Sequence, residues 1–207
     1  MPFECVQPLH AVSQTLRTFI AIELPQPVQS ELQRRLGSLA RATPRGSVRW
    51  LRADSIHLTL KFLGEVESAR TAAVTAALGE VLRGVPAVEL ALAGNGAFPN
   101  LARPRVVWAG VEMQGGELPS IQARVEDTMA GIGFPREARE FAPHLTLGRV
   151  REGIGAADLR AVGEAVAGEP VGPALTFVAS KVVFFRSELR PEGAVYSPLA
   201  QFQLASA

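Results

Sequence analysis

A chain of 207 residues with 47% hydrophobic content can bury one sizeable core, as a single domain or two closely joined lobes. A net charge of +1 excludes a protein that coats nucleic acid through bulk charge, and a single cysteine, Cys5, excludes an internal disulfide. No run of about 18 apolar residues occurs, which excludes a membrane-spanning helix; with no signal-like start at Met1 to Cys5, a cytoplasmic protein is expected.

Residues 1–15 show no period and are expected to form a loose extension. Arg17 to Glu23 alternates and predicts a strand. Pro25 and Pro27 then open a helix carrying Val28, Leu32, Leu36 and Leu39 at helical spacing. Thr43 to Gly46 reads as a turn, Val48 to Leu51 as a short strand, and Ile56 to Leu63 as a strand closed by Gly64. A helix is predicted from Ser68 to Leu82, a strand over Val88 to Leu92, and a loop from Gly94 to Asn100. Arg105 to Val111 predicts a strand, Leu118 to Ile132 a helix, His144 to Val150 a strand and Ala156 to Ala167 a helix. Gly168 to Pro173 reads as a loop, Ala174 to Phe185 as strand with a break near Ser180, Leu189 to Gly193 as a turn, and Ala194 to Leu204 as the last strand. The order of strand, helix and strands recurs in each half, which predicts an α+β fold with mostly antiparallel sheets rather than regular βαβ alternation.

One tetrapeptide occurs twice, as His57-Leu58-Thr59-Leu60 and His144-Leu145-Thr146-Leu147. Strand side chains alternate faces, so each copy places an imidazole and a hydroxyl on one side and two leucines on the other. A lone strand histidine is usually structural. Here two of the chain's three histidines stand at matching places in two halves, where leucine or valine would bury better. The pattern is that of a duplicated lobe, one His-Thr pair in each.

The paired His-x-Thr motifs resemble the two-histidine (2H) phosphoesterase superfamily. The flanks resemble its RNA 2′,3′-cyclic phosphodiesterases, also called 2′-5′ RNA ligases. They are Arg17-Thr18-Phe19-Ile20-Ala21-Ile22, Trp50, Leu60-Lys61-Phe62-Leu63-Gly64-Glu65-Val66, Arg105-Val106-Val107-Trp108, Phe141-Ala142-Pro143 before His144, Gly148-Arg149 after Leu147, and Tyr196. The resemblance implies two pseudo-symmetric lobes, each a mostly antiparallel sheet backed by helices, with the active site in the cleft between them. Residues 16–207 would then form one bilobal domain with intertwined lobes, in approximate halves around 16–100 and 101–207.

Two imidazoles across a cleft suit acid-base work on a phosphodiester, one activating a nucleophile and one protonating the leaving oxygen. Threonine hydroxyls can donate to the non-bridging oxygens. The residues give a symmetric pair; the resemblance implies that His57 is the proton donor and His144 the acceptor, with a 2′-phosphate product. Reverse ligation, which the family's second name reflects, is expected as a secondary activity. The same chemistry on another cyclic or 2′-5′-linked nucleotide is an alternative, as is an RNA-binding module without catalysis.

Among the other candidates, Arg149 lies five residues past His144. Strict alternation turns it to the leucine side, and it reaches the phosphate only if the strand ends or bulges. Arg105 opens a strand and is a candidate for the cleft. Phe19 can stack a base, although its surroundings read as core, and Tyr196 can line or cap the cleft. Lys61 shares the parity of His57 and is expected at the rim. Six arginines (Arg34, Arg35, Arg41, Arg45, Arg49, Arg52) fall in a stretch without acids, which fits either a solvated face or a nucleic-acid footprint. Two His with two Thr form a poor ligand set, so no metal and no cofactor are expected. The expected partners are RNA ends or small cyclic nucleotides, with no membrane and a monomeric state.

Overall fold

The computed structural model describes residues 14–170, 175–190 and 193–206. Its elements, in chain order, are β1 (Thr15–Glu23), α1 (Gln26–Ala42), β2 (Val48–Trp50), β3 (His57–Glu67), α2 (Thr71–Val81), β4 (Val88–Phe98), β5 (Val106–Gly115), α3 (Leu118–Gly131), β6 (His144–Val150), α4 (Ala156–Gly168), β7 (Thr176–Ala179), β8 (Lys181–Arg190) and β9 (Gly193–Gln203). Residues 1–13 of the expected N-terminal extension, with Cys5 and His10, and parts of the predicted loop at Gly168 to Pro173 and turn at Leu189 to Gly193, lie outside the described residues; the last residue of that expected extension, Thr15, instead begins β1 opposite Glu67.

The strands form one antiparallel sheet in the order β7-β4-β5-β6-β3-β1-β8-β9, with β2 added to β6. It is built of two like halves, β3-β1-β8-β9 and β6-β5-β4-β7. They meet edge to edge at one register pair, Leu58 opposite Leu145. The fold is thus α+β and two-lobed. β4 comes early in the chain yet lies beside β5 and β7, while β8 and β9 come last and lie beside β1.

All four helices pack on one face of this sheet. Leu58, Leu60, Leu145 and Leu147 share a core with Val28 and Leu32 of α1, Val74 and Leu78 of α2, Leu118 and Val125 of α3, and Val162 and Val166 of α4. Leu58 and Leu145 are fully buried, each worth about 1.5–3 kcal/mol in transfer free energy. Burying the leucine face leaves the His-Thr face on the opposite, helix-free side.

Three local expectations need correction. Gly64 does not close β3, which runs on to Glu67: Gly64 takes φ +73 at a bulge against β1, a conformation glycine adopts without strain. The stretch from Gly94 is not a loop, because β4 continues to Phe98. Gly96 permits this, since the Trp108 ring lies over it and a Cβ there would come within 2.3 Å of that ring. Nor is the arginine stretch uniform. Arg35 is buried, donating to Glu31 Oε1 at 2.9 Å and to the Ala93 carbonyl at 2.7 Å beside an irregularity in β4.

Candidate active site

The single rung between β3 and β6 aligns the two motifs. Because the strands run antiparallel through Leu58 and Leu145, His57 is directed toward Thr146 and Thr59 toward His144. The two histidines are then diagonal neighbours, about 7–8 Å apart at ideal sheet spacing. Pairing stops at that rung, which leaves a groove between them rather than a closed ladder.

Each motif is followed by the same irregularity. On β3, Ala21 pairs with Thr59 but Ile20 pairs with Lys61, so Leu60 is an extra residue. On β6, Trp108 pairs with Thr146 but Val107 pairs with Gly148, so Leu147 is extra. A bulge resets the alternation. Leu60 and Lys61 both turn to the helix side, as do Leu147 and Gly148, and all four are buried. The next residues, Phe62 and Arg149, return to the histidine face and are exposed.

Lys61 is therefore not at the rim. Its side chain is 2% exposed, and Nζ donates to Glu126 Oε1 of α3 at 2.6 Å and to the Pro135 carbonyl at 2.8 Å. Glu126 Oε1 also accepts the Glu137 N–H at 2.9 Å. This cluster ties the first motif strand to the segment that leads into the second.

The imidazoles are held alike. His57 Nδ1 lies 3.0 Å from the Ser55 carbonyl, and His144 Nδ1 lies 2.7 Å from the Ala142 carbonyl, each two residues back. A carbonyl only accepts, so each neutral ring carries its proton on Nδ1 and presents a bare Nε2. Among the described residues neither Nε2 nor either motif hydroxyl has a protein hydrogen-bond partner.

The surroundings break the symmetry. His57 stacks on Phe19 with centroids 4.5 Å apart, takes the edge of Tyr196 at 5.1 Å, and lies 6.2 Å from Phe185. Burial against these rings disfavours the imidazolium and pushes His57 down to about 4, against a smaller opposing pull from the Ser55 carbonyl. Among the described residues His144 meets one ring, the edge of Phe98 at 4.9 Å.

Phe19 is buried in a small cluster with Ala21, Val183 and Phe185, so it serves as a backing for His57 and not as an exposed platform. Phe62 is the exposed ring, 61% accessible and 5.9 Å from Phe19. Tyr196, on β9, sets its ring edge-on to Phe19 and His57. Desolvation raises its hydroxyl above the usual range, opposed by the positive charges of Arg149 on β6 and Arg17 on β1. Arg105, just ahead of β5, is exposed; its N–H donates to the Phe98 carbonyl and its carbonyl accepts from Val150. No side-chain hydrogen bond or ion pair joins it to the motif residues among the described residues. Sequence reasoning passed over Phe62, Phe98 and Phe185. Phe62 stood only as a flank and Phe98 in an expected loop.

The described residues contain no cluster of three or more His, Cys, Asp or Glu able to hold a metal ion, and no helix long and apolar enough to cross a membrane.

The duplicated groove has a counterpart in a known family. The description "LigT like Phosphoesterase" matches residues 22–108 and again residues 110–196, one match for each motif. The chain belongs to the LigT-like phosphoesterase family, within the two-histidine superfamily, and is an enzyme. It is 30% identical over 189 residues to an RNA 2′,3′-cyclic phosphodiesterase of Methanothermobacter thermautotrophicus, spanning 91% of this chain and 99% of that protein. Among solved structures, the Thermus thermophilus protein TT0787 superposes with a TM-score of 0.72 at 26% identity, covering 91% of this chain and 98% of that one. E. coli LigT complexed with 3′-AMP gives a TM-score of 0.69 at 25% identity, covering 92% and 99%. In this LigT-like enzyme the two motif strands are thus the sheet's shared seam, one from each family repeat.

Proposed function

We propose that the protein hydrolyses RNA 2′,3′-cyclic phosphate ends to 2′-phosphates by metal-free acid-base catalysis between His57 and His144. The observation that carries this reading is the matched pair of imidazoles on facing motif strands, each with Nδ1 tethered to a carbonyl and Nε2 left without a protein partner among the described residues. Relatives named RNA 2′,3′-cyclic phosphodiesterase support the substrate class.

The cyclic phosphate sits between the two motif strands. Thr59 and Thr146 donate to its non-bridging oxygens, and Arg149 supplies a charge-assisted contact. His144 Nε2 takes a proton from water, whose oxygen attacks phosphorus. The bond from phosphorus to the 3′ oxygen breaks, and His57 Nε2 delivers its proton to that oxygen. Product leaves with the phosphate on the 2′ oxygen, and proton exchange with solvent resets the rings.

His57 must be protonated for this role, and in the free protein burial disfavours that state. The bound phosphodiester anion offsets the penalty, because an opposite charge at contact distance favours imidazolium. Phe62 offers the base a stacking face beside that imidazole. Arg105 completes the substrate-binding set. The reading includes a monomer acting in the cytoplasm and a reverse reaction that joins a cyclic end to a 5′ hydroxyl as a 2′-5′ bond.

The test is incubation with 2′,3′-cyclic nucleotides and a short RNA with a cyclic end, in the presence of EDTA, with products assigned by phosphorus NMR. The expected product is the 2′-phosphate. Activity abolished by EDTA and restored by zinc or magnesium, or a 3′-phosphate product, would overturn the reading.

A further inference from the structure

We infer that a row of arginines leaving the groove along β6 and β2 holds the RNA strand on the 5′ side of the cyclic end. This inference rests on the function proposed above and adds where the RNA chain behind the cyclic end is held. Arg49 stands directly across the β2–β6 ladder from Arg149. The Arg151 N–H donates to the Ser47 carbonyl at 2.8 Å, which carries the ladder past its last named rung. The pleat sets Arg151 on the face of Arg149 and Arg49. All three are exposed.

Like charges opposite each other on neighbouring strands are destabilising. Of the other arginines in the same sequence region, Arg34 and Arg35 pair with Glu31 and Arg52 with Asp54, while Arg41 and Arg45, also without an ion pair among the described residues, lie outside the named strands. Among the described residues Arg49, Arg149 and Arg151 have no ion-pair partner. A row of cations that repel one another is stabilised when anions lie along it. A single cyclic nucleotide places its phosphate at the groove, within reach of Arg149, and offers nothing to Arg49 or Arg151. A strand with one phosphate per nucleotide does. Arg149 and Arg151 are two residues apart, roughly 6.6 Å where the extended chain runs on past the end of β6, a spacing that suits successive phosphates.

The experiment measures binding and turnover separately on the full chain. A fluorescently labelled single-stranded RNA hexamer with a 2′,3′-cyclic end is titrated by anisotropy at several salt concentrations. Hydrolysis of that RNA and of 2′,3′-cyclic AMP is assayed in parallel. The variants are Arg49→Gln, Arg151→Gln, the double variant, and Arg49→Lys. The double variant should bind the hexamer about tenfold more weakly at low salt. The slope of log affinity against log salt should shrink by about 1.4, as expected for two lost contacts to a single strand. Turnover of 2′,3′-cyclic AMP should be unchanged, and Arg49→Lys should bind RNA like the parent. Unchanged RNA affinity and salt slope in the double variant would overturn the inference, as would an equal loss on both substrates. Absence of turnover in the parent protein would instead overturn the proposed function, because the anisotropy reading stands without it.

Discussion

Phe62 and Arg149 occupy equivalent places in the two halves of the sheet, each returned to the histidine face by a bulge just after its motif. The scaffold is symmetric, but one position carries an aromatic face and the other a cation. A nucleotide is polarised in the same way, with a base at one end and an anion at the other, so under the proposed function this difference would set its direction in the groove.

The two positions should therefore fail differently. Phe62→Ala is expected to raise KM for a cyclic nucleotide by the worth of one stacked base, about 1–3 kcal/mol, with kcat little changed. Arg149→Gln should lower kcat/KM on the order of 10²-fold, because its charge is aimed at the phosphate in the transition state. Steady-state kinetics on 2′,3′-cyclic AMP separates the two, and a kcat loss in Phe62→Ala would place that ring in the chemistry.

His57 gives a pH prediction. Its pKa is lowered to about 4 chiefly by burial, so in the free protein it loses its proton as pH rises through that value. kcat/KM, which reports free enzyme, should show an inflection near pH 4 where His57 loses the proton it must donate. In kcat that inflection should lie higher, because bound phosphate favours the imidazolium. The ring proton of His57 followed by NMR should show the same upward move on adding a nucleotide 2′-phosphate. No inflection of kcat/KM near pH 4, or no shift with ligand, would contradict this account of His57.

The buried Lys61 and Glu126 pair predicts a stability effect away from the phosphate. Lys61→Ala leaves Glu126 buried without its cation, and breaking such a pair costs about 3–5 kcal/mol. Urea unfolding measures it. The double variant Lys61→Met with Glu126→Leu should recover much of the loss, since apolar packing replaces both charges. A loss under 1 kcal/mol in Lys61→Ala would mean that the pair does not tie the motif strand to α3.

The core was legible because period alone decides it. Val28, Leu32, Leu36 and Leu39 were readable as the inner face of α1, and alternation put the motif leucines inward and the His-Thr pairs outward. What alternation cannot show is an extra residue. Leu60 and Leu147 each reset the parity, so Lys61 read as a rim residue, Arg149 as a residue on the wrong face, and Phe62 only as a flank. Phe98 was hidden for another reason. Gly94, Gly96 and Pro99 read as a loop, whereas Gly96 is the place where β4 passes under Trp108. Phe185 lies in an apolar run, Val182 to Phe185, whose composition does not say which face each residue takes.

The central claim is that His57 and His144 act together on one displacement, and the most direct measurement is turnover of a 2′,3′-cyclic phosphate by His57→Ala, His144→Ala and the double variant. Each single variant should lose nearly all activity while remaining folded. The double variant should be little worse than either, because residues that serve one step are not additive. Thr59→Val and Thr146→Val, which keep the proton path, should lose less, on the order of 10²-fold. A folded histidine variant with near-parental turnover, or losses that multiply in the double variant, would contradict the account.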